Sequence, residues 1–163
     1  TNLYGPGESY NIEESHVVAS LIRRFHEGKA NNLKEIVLWG DGSPKRELLF
    51  VDDFSNAAIY IMNLDKNKFN ELTNERCSHL NVGSGEEISI KDLAHLIAEI
   101  INYQGKIKFD RVSPNGTMRK VLDISKIQKL GWKHKISLKE GITETYDRFL
   151  KTYQPLKNNF EHN

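Results

Sequence analysis

Apolar residues recur along this chain at two spacings. Val17, Val18, Leu21, Ile22 and Phe25 fall on one face at helical spacing, with Ser15 placed as N-cap and Gly28 as a stop. Phe54, Ala57, Ala58, Ile61 and Met62 repeat that pattern after Asp52-Asp53, which reads as the cap of a second helix. A third helix follows Ser89 and Asp92, spaced like a capping box with Asp in place of Glu, and is expected to bury Leu93, Ile97, Ile100 and Ile101. Residues 123–132 predict a short helix closed by Gly131, and Ser137 with Glu140 predicts a capping box opening a last helix that runs to about Tyr153.

The other spacing is that of strands. "EIVLWG" and "RELLFV" are joined by the turn-forming "DGSPK", which predicts a hairpin over 36–51. "SHLNVGSG" predicts a short buried strand ending at a glycine-rich turn, and "KIKFD" another strand. Residues 1–14 carry Gly5-Pro6-Gly7 and few apolar positions, as a loop does. Strands and helices alternate in the second half, so the expected fold class is α/β with some parallel pairing. Residues 1–153 are expected to form one domain and residues 154–163 a frayed tail.

Composition narrows the chemistry. The 163 residues suffice for one domain with a real core. Hydrophobic content of 38% and charged content of 28% are ordinary for a water-soluble fold. With 23 basic and 22 acidic residues the net charge is +1, which gives no general reason to expect nucleic acid or an anionic membrane as partner. No apolar run approaches a membrane span, and no signal-peptide pattern is present. The single Cys77 excludes an intrachain disulfide and fits a reducing compartment.

Three motif matches fail on physical grounds. "GSGEE" lacks the third glycine of a dinucleotide fingerprint and the lysine of a phosphate loop. Six His and one Cys show no metal-ligand spacing. Tyr153 and Lys157 match a Tyr-x-x-x-Lys string, but Pro155 between them breaks the helix which that chemistry needs.

Other residues are better placed for chemistry. At about 100° per residue, His16, Ser20 and Arg24 share one flank of the first helix, with Arg23 pointing further outward. His16 and Arg24 are two turns apart, roughly 12 Å, a span that suits an elongated anionic ligand. A solvated helix edge explains the same spacing. An imidazole in the first helical turn suits general acid–base work without demonstrating it. Trp39 ends one strand and Arg46 begins the next, a flat aromatic and a planar cation that suit a base or sugar plus a phosphate. A core tryptophan with a surface arginine fits equally. Arg119-Lys120 follows a glycine turn and reads as a phosphate clamp or a solvated basic pair.

The stretches "TNLYGP", "SHVVASLIRRFHE", "WGDGSPKRELLFVDD", "NVGSG" and "PNGTMRKVLD" together resemble the C-terminal part of the GDP-L-fucose synthases, a family of extended short-chain dehydrogenases/reductases. The resemblance runs from Thr1 to about Tyr153. It implies the substrate-binding portion of such a fold, without the half that carries the glycine fingerprint and the catalytic Tyr and Lys. It also implies a GDP-sugar substrate, NADP(H) held mainly by that other half, pairing into homodimers through the other half, and a cytoplasmic enzyme. This chain by itself is expected to be inactive. By the same resemblance, Thr1, Asn2 and Leu3 lie against the nicotinamide end of the cofactor. His16 is the acid of a double epimerisation and also touches the cofactor. Arg24, Trp39, Arg46 and Lys120 bind substrate, with Arg46 on the diphosphate. Asn115 stands where familiar members have Asp, which puts that substrate contact in question. Two alternatives stay open: another nucleotide-sugar epimerase or dehydratase, and a non-catalytic nucleotide-sugar-binding module.

Overall fold

The computed structural model describes residues 1–11, 14–112 and 115–153. Along the chain run β1 (Asn2–Tyr4), α1 (Val17–Ala30), β2 (Glu35–Trp39), β3 (Lys45–Phe50), α2 (Val51–Met62), α3 (Lys66–Leu72), β4 (Glu87–Ser89), α4 (Ile90–Ile101), β5 (Lys106–Asp110), β6 (Arg119–Lys120), α5 (Ser125–Lys129) and α6 (Leu138–Thr152). The mixed α/β class is as expected. The tail from 154 on lies outside the described residues.

The main core is where helical spacing was clearest. α1 buries Val18, Leu21, Ile22 and Phe25. α4 buries Leu93, Ala94, Ile97, Ala98 and Ile101 against it, and α6 adds Ile142, Tyr146 and Phe149. Ser89 accepts from the Asp92 N–H as N-cap of α4, and Ser137 with Glu140 forms the complete capping box of α6. β2 and β5 pair in parallel and turn Ile36 and Leu38 into this core, leaving Glu35, Val37 and Trp39 exposed.

Several expectations are corrected. α1 begins at Val17 with His16, not Ser15, as N-cap, and it runs through Gly28 to Ala30. Gly28 is buried against Ile36, so its missing side chain serves packing rather than termination. Arg23 does not point outward. It is 7% exposed, with Nε 2.8 Å from Glu27 Oε1 and Nη1 donating to the Tyr10 carbonyl at 2.7 Å. The 36–51 hairpin does not form. β2 pairs with β5, while β3 pairs in parallel with β1 and β6 and antiparallel with β4. β3 is buried from Glu47 through Phe50, as an interior strand is when both edges are paired and both faces are packed, whereas β2 exposes alternate residues. The stretch 79–83 is not a strand but an irregular segment. α2 is capped at Phe50, with Asp52 and Asp53 in its first turn, and it buries Ala57 while Phe54 and Met62 stay exposed. Asp53 instead faces inward and accepts from the Lys135 and Ile136 N–H groups.

Alternation along β3 divides the molecule. Leu48 and Phe50 join the main core, while Leu49 joins a second cluster with Ala57, Ile124, Ile127 and Trp132. β4 and β6 both pair with Lys45 and Arg46, so they take opposite edges of β3.

Candidate functional site

β1 runs parallel to β3 with Asn2 opposite Leu48, and the N-terminus of α1 faces the same ground. Between them lies a cleft of about 600 Å³ whose lining includes Thr1, Asn2, Leu3, Glu8, His16 and Arg46. Five of these six are residues singled out in the sequence. A further hollow of about 330 Å³ continues behind His16 and Glu8 along the Gly5–Ser9 turn.

His16 has extended backbone angles, φ −68° and ψ 163°, and its carbonyl accepts the Ser20 N–H at 2.8 Å. Its side chain makes no capping hydrogen bond, so the imidazole stays outside the helix and lines the cleft. Glu8 lines both hollows with it. Burial pushes the Glu8 carboxyl above its ordinary value, and the neighbouring His16 pulls the other way. Burial first, and the Glu8 charge second, push the Tyr10 phenol up to about 12. The pair Glu8–His16 places a carboxyl beside an imidazole in a half-sheltered space, an arrangement able to take and return protons.

Arg46 lines the same cleft. Its Nη1 donates to the carbonyls of Lys45 at 2.8 Å and Thr117 at 2.6 Å, which lays the guanidinium over the backbone entering β6. Lys120 is the register partner of Arg46, and paired positions in a parallel sheet present side chains on the same face. The structure therefore brings together two cations that stand 74 positions apart in sequence. Their strand neighbours are neutralised separately: Arg119 pairs with Glu87, and Lys45 Nζ lies 3.9 Å from the same carboxylate.

Trp39 is 76% exposed at the end of β2, neither in the core nor on a strand adjacent to Arg46. The loop ahead of β6 connects the two. Asn115 Oδ1 accepts the Asp41 N–H at 3.0 Å, in the turn that follows Trp39, while Thr117 two residues on holds Arg46. A Cβ on Gly40, where φ is +75°, would come within 2.4 Å of Asn115 Oδ1, so the turn depends on glycine there. The same turn is tightened by Ser43, whose hydroxyl and N–H bond Asp41 and, with Asn115, hold the Asp41 carboxyl below its usual range. Asn115 thus braces the Trp39 turn. Arg24 is exposed on the outer flank of α1 and does not line the cleft.

Sequence reasoning missed Glu8 and Glu47. Glu47 is fully buried and receives hydrogen bonds from Thr1, Gly85 and Leu122. A charged residue inside the apolar run "RELLFV" was its signal. Among the described residues no group of His, Cys, Asp and Glu could hold a metal ion, and no helix is long and apolar enough to cross a membrane.

Comparison with known proteins places this site in context. The chain is 50% identical over 151 residues to the probable GDP-L-fucose synthase 1 of Oryza sativa subsp. japonica, covering 93% of this chain and 43% of that one. It is 45% identical over 151 residues to the GDP-L-fucose synthase of Escherichia coli (strain K12), covering 93% and 47%. Among solved structures, a GDP-mannoheptose C4 reductase from Campylobacter jejuni with NADP bound superposes with a TM-score of 0.77 at 32% identity, covering 93% of this chain and 51% of that one. The chain therefore spans less than half the length of these two curated relatives. The profile of the family described as NAD dependent epimerase/dehydratase matches residues 1–83, which hold β1, His16, Trp39 and Arg46. With half of its length matched in this way, the chain belongs to the NAD dependent epimerase/dehydratase family.

Proposed function

We propose that this chain is the GDP-sugar-binding part of a GDP-L-fucose synthase, which epimerises GDP-4-keto-6-deoxy-D-mannose at C3 and C5 and reduces C4 with NADPH. The observation that carries this reading is that Arg46, the register partner of Lys120, lines the same cleft as His16. A nucleoside diphosphate joined to a sugar suits that combination, with two phosphates followed by a reacting ring. The identity to GDP-L-fucose synthases supports the same substrate.

In this reading Arg46 and Lys120 grip the diphosphate, Arg24 reaches the substrate from the flank of α1, and Trp39 offers its exposed ring to the guanine end. Asn115 acts from behind by fixing the Trp39 turn. The 4-ketone acidifies C3 and C5. His16, with Glu8 beside it, holds and returns protons at those carbons. Most of the rate contribution of the other residues is orientation of the sugar over His16.

The cofactor end can be tested against the residues present. Thr1, Asn2, Leu3 and Val17 give the cleft an edge of mixed polar and apolar character, which fits a carboxamide-bearing nicotinamide ring. The sequence has no glycine fingerprint for the cofactor's phosphates, so the fit is to the nicotinamide end, and the rest of NADP(H) is held by the other half of the enzyme. When bound, NADPH supplies hydride to C4. The whole enzyme is a cytoplasmic homodimer paired through that other half, and this chain by itself does not turn over substrate.

Calorimetric titration of GDP tests the reading. Charge-assisted hydrogen bonds contribute about 1.5–3 kcal/mol, so Arg46→Ala is expected to weaken GDP roughly ten- to a hundredfold. Arg46→Lys keeps the charge, loses the two-pronged grip and falls between. Equal affinity in all three proteins refutes the diphosphate role. UDP binding as tightly as GDP would favour a different nucleotide-sugar enzyme.

A further inference from the structure

Glu47 lies behind the cleft, on the face of β3 opposite Arg46. It is 0% exposed, yet its oxygens are engaged by three segments remote from one another in sequence. Oε1 accepts the Gly85 N–H at 2.7 Å, and Oε2 accepts the Leu122 N–H at 3.0 Å. The Thr1 hydroxyl lies 3.1 Å from both Oε2 and the Glu47 carbonyl, and Asn2 Nδ2 donates to that carbonyl at 3.0 Å. A buried carboxylate is costly unless its lone pairs are filled, and here the donors come from the two sides of the site. Thr1 and Asn2 line the cleft. Leu122 is two residues beyond Lys120, where the two-residue strand β6 has ended and backbone pairing with β3 no longer fixes the chain.

We propose that Glu47 is a positioning residue that sets Lys120 against Arg46, and Thr1–Asn2 against both, without touching the ligand itself. Two backbone positions of register are a weak hold on a lysine that must meet a phosphate, and the Leu122 tie supplies the missing constraint. Gly83 completes the clamp. A Cβ there would lie 2.2 Å from Glu47 Oε1, so the glycine-rich turn closes on the carboxylate at a distance no other residue permits. The inference rests on the diphosphate reading above.

The test is Glu47→Gln, which keeps the shape of the side chain. Either orientation of the amide sets its NH₂ against the Gly85 or the Leu122 N–H, so one tie is lost. GDP and GMP are titrated into the wild type, E47Q, Lys120→Ala and the double variant. The wild type is expected to prefer GDP over GMP by roughly tenfold, from the second phosphate's charge-assisted bonds. E47Q is expected to lose most of that preference with GMP affinity unchanged, and to have no further effect on it once Lys120 is absent. If the wild type shows no preference, the diphosphate reading fails and this inference fails with it. If the wild type prefers GDP and E47Q keeps the preference, or if GDP and GMP weaken equally, only the positioning role is overturned. Should E47Q not melt cooperatively, Glu47→Asp, which retracts the carboxylate by one methylene, is measured in its place. Full preference in that variant likewise overturns the proposal.

Discussion

The two sides of β3 are built on different physics. On one side α1, α4 and α6 bring together Phe25, Ile97, Ile101, Ile142 and Phe149, all buried and apolar, so the region is held by surface removed from water. On the other side the second cluster is small, with Leu49, Ala57, Ile124, Ile127 and Trp132, and the segments around it are tied by hydrogen bonds to buried carboxylates. Glu47 holds Thr1, Gly85 and Leu122, and Asp53 holds Lys135 and Ile136. Apolar burial is strong but non-directional, whereas a filled carboxylate fixes where its donors sit. The cleft lies where the two regimes meet. His16 and Arg46 stand on the helical side, and Glu47 ties Thr1 and the chain just past Lys120 from the opposite face of β3.

The comparison breaks first in the helical core. Phe25 is 0% exposed, and Phe25→Ala is expected to cost about 3–5 kcal/mol, a large share of the stability of a domain this size. Urea unfolding measures it, and a loss under about 1 kcal/mol would mean that the helical side does not dominate stability. Gly83→Ala strikes the other side. Crowding the Glu47 carboxylate is expected to cost about 1–3 kcal/mol of stability, and to lower GDP affinity further than Phe25→Ala does when both are measured on folded protein. If Phe25→Ala harms binding more, the division of labour is wrong.

The smallest effect is expected at the rim. The Glu87 carboxyl is held below its ordinary value of 4.5 chiefly by the hydrogen bond from Arg119. A carboxyl lowered in the folded state adds stability above its unfolded value, and that contribution disappears as pH falls through the folded value. Arg119→Met should therefore reduce the melting temperature slightly at neutral pH, and not at all once Glu87 is protonated or in high salt. A difference from wild type that persists at low pH would show that Arg119 stabilises by packing instead.

Much of the helical side was legible because its signal is local. A stripe of apolar residues every three to four positions, with a serine cap ahead of it, dictates a helix and its buried face whatever it packs on, as the α4 and α6 caps and faces show. On that side the errors in α1 were its cap, its Gly28 stop and the direction of Arg23, while the failures in strand pairing share a different cause. "EIVLWG" and "RELLFV" read as a hairpin because proximity in sequence is the only pairing information a strand pattern offers. β3 instead took β1, β4 and β6, and its four consecutive buried positions mark an interior strand, paired at its edges and packed on both faces. α2 shows the converse. Its apolar spacing is real, yet only Ala57 of that stripe is buried, because periodicity states which residues share a face and not what covers it.

The site divides in the same way. The sequence alone determined which residues have the chemistry, namely an imidazole at a helix mouth, an arginine opening a strand, a basic pair after a glycine turn and a tryptophan at a strand end. Each is a property of side-chain type and local spacing. Tertiary structure decided which of them meet. Parallel register put Lys120 beside Arg46, β1 carried Thr1–Leu3 to His16, Asn115 became a brace for the Trp39 turn, and Arg23 went inward while Arg24 stayed out. Glu47 belongs wholly to that second category. Its role comes from three donors brought to one carboxylate across 75 positions of chain, and spacing along a sequence holds no record of such a meeting.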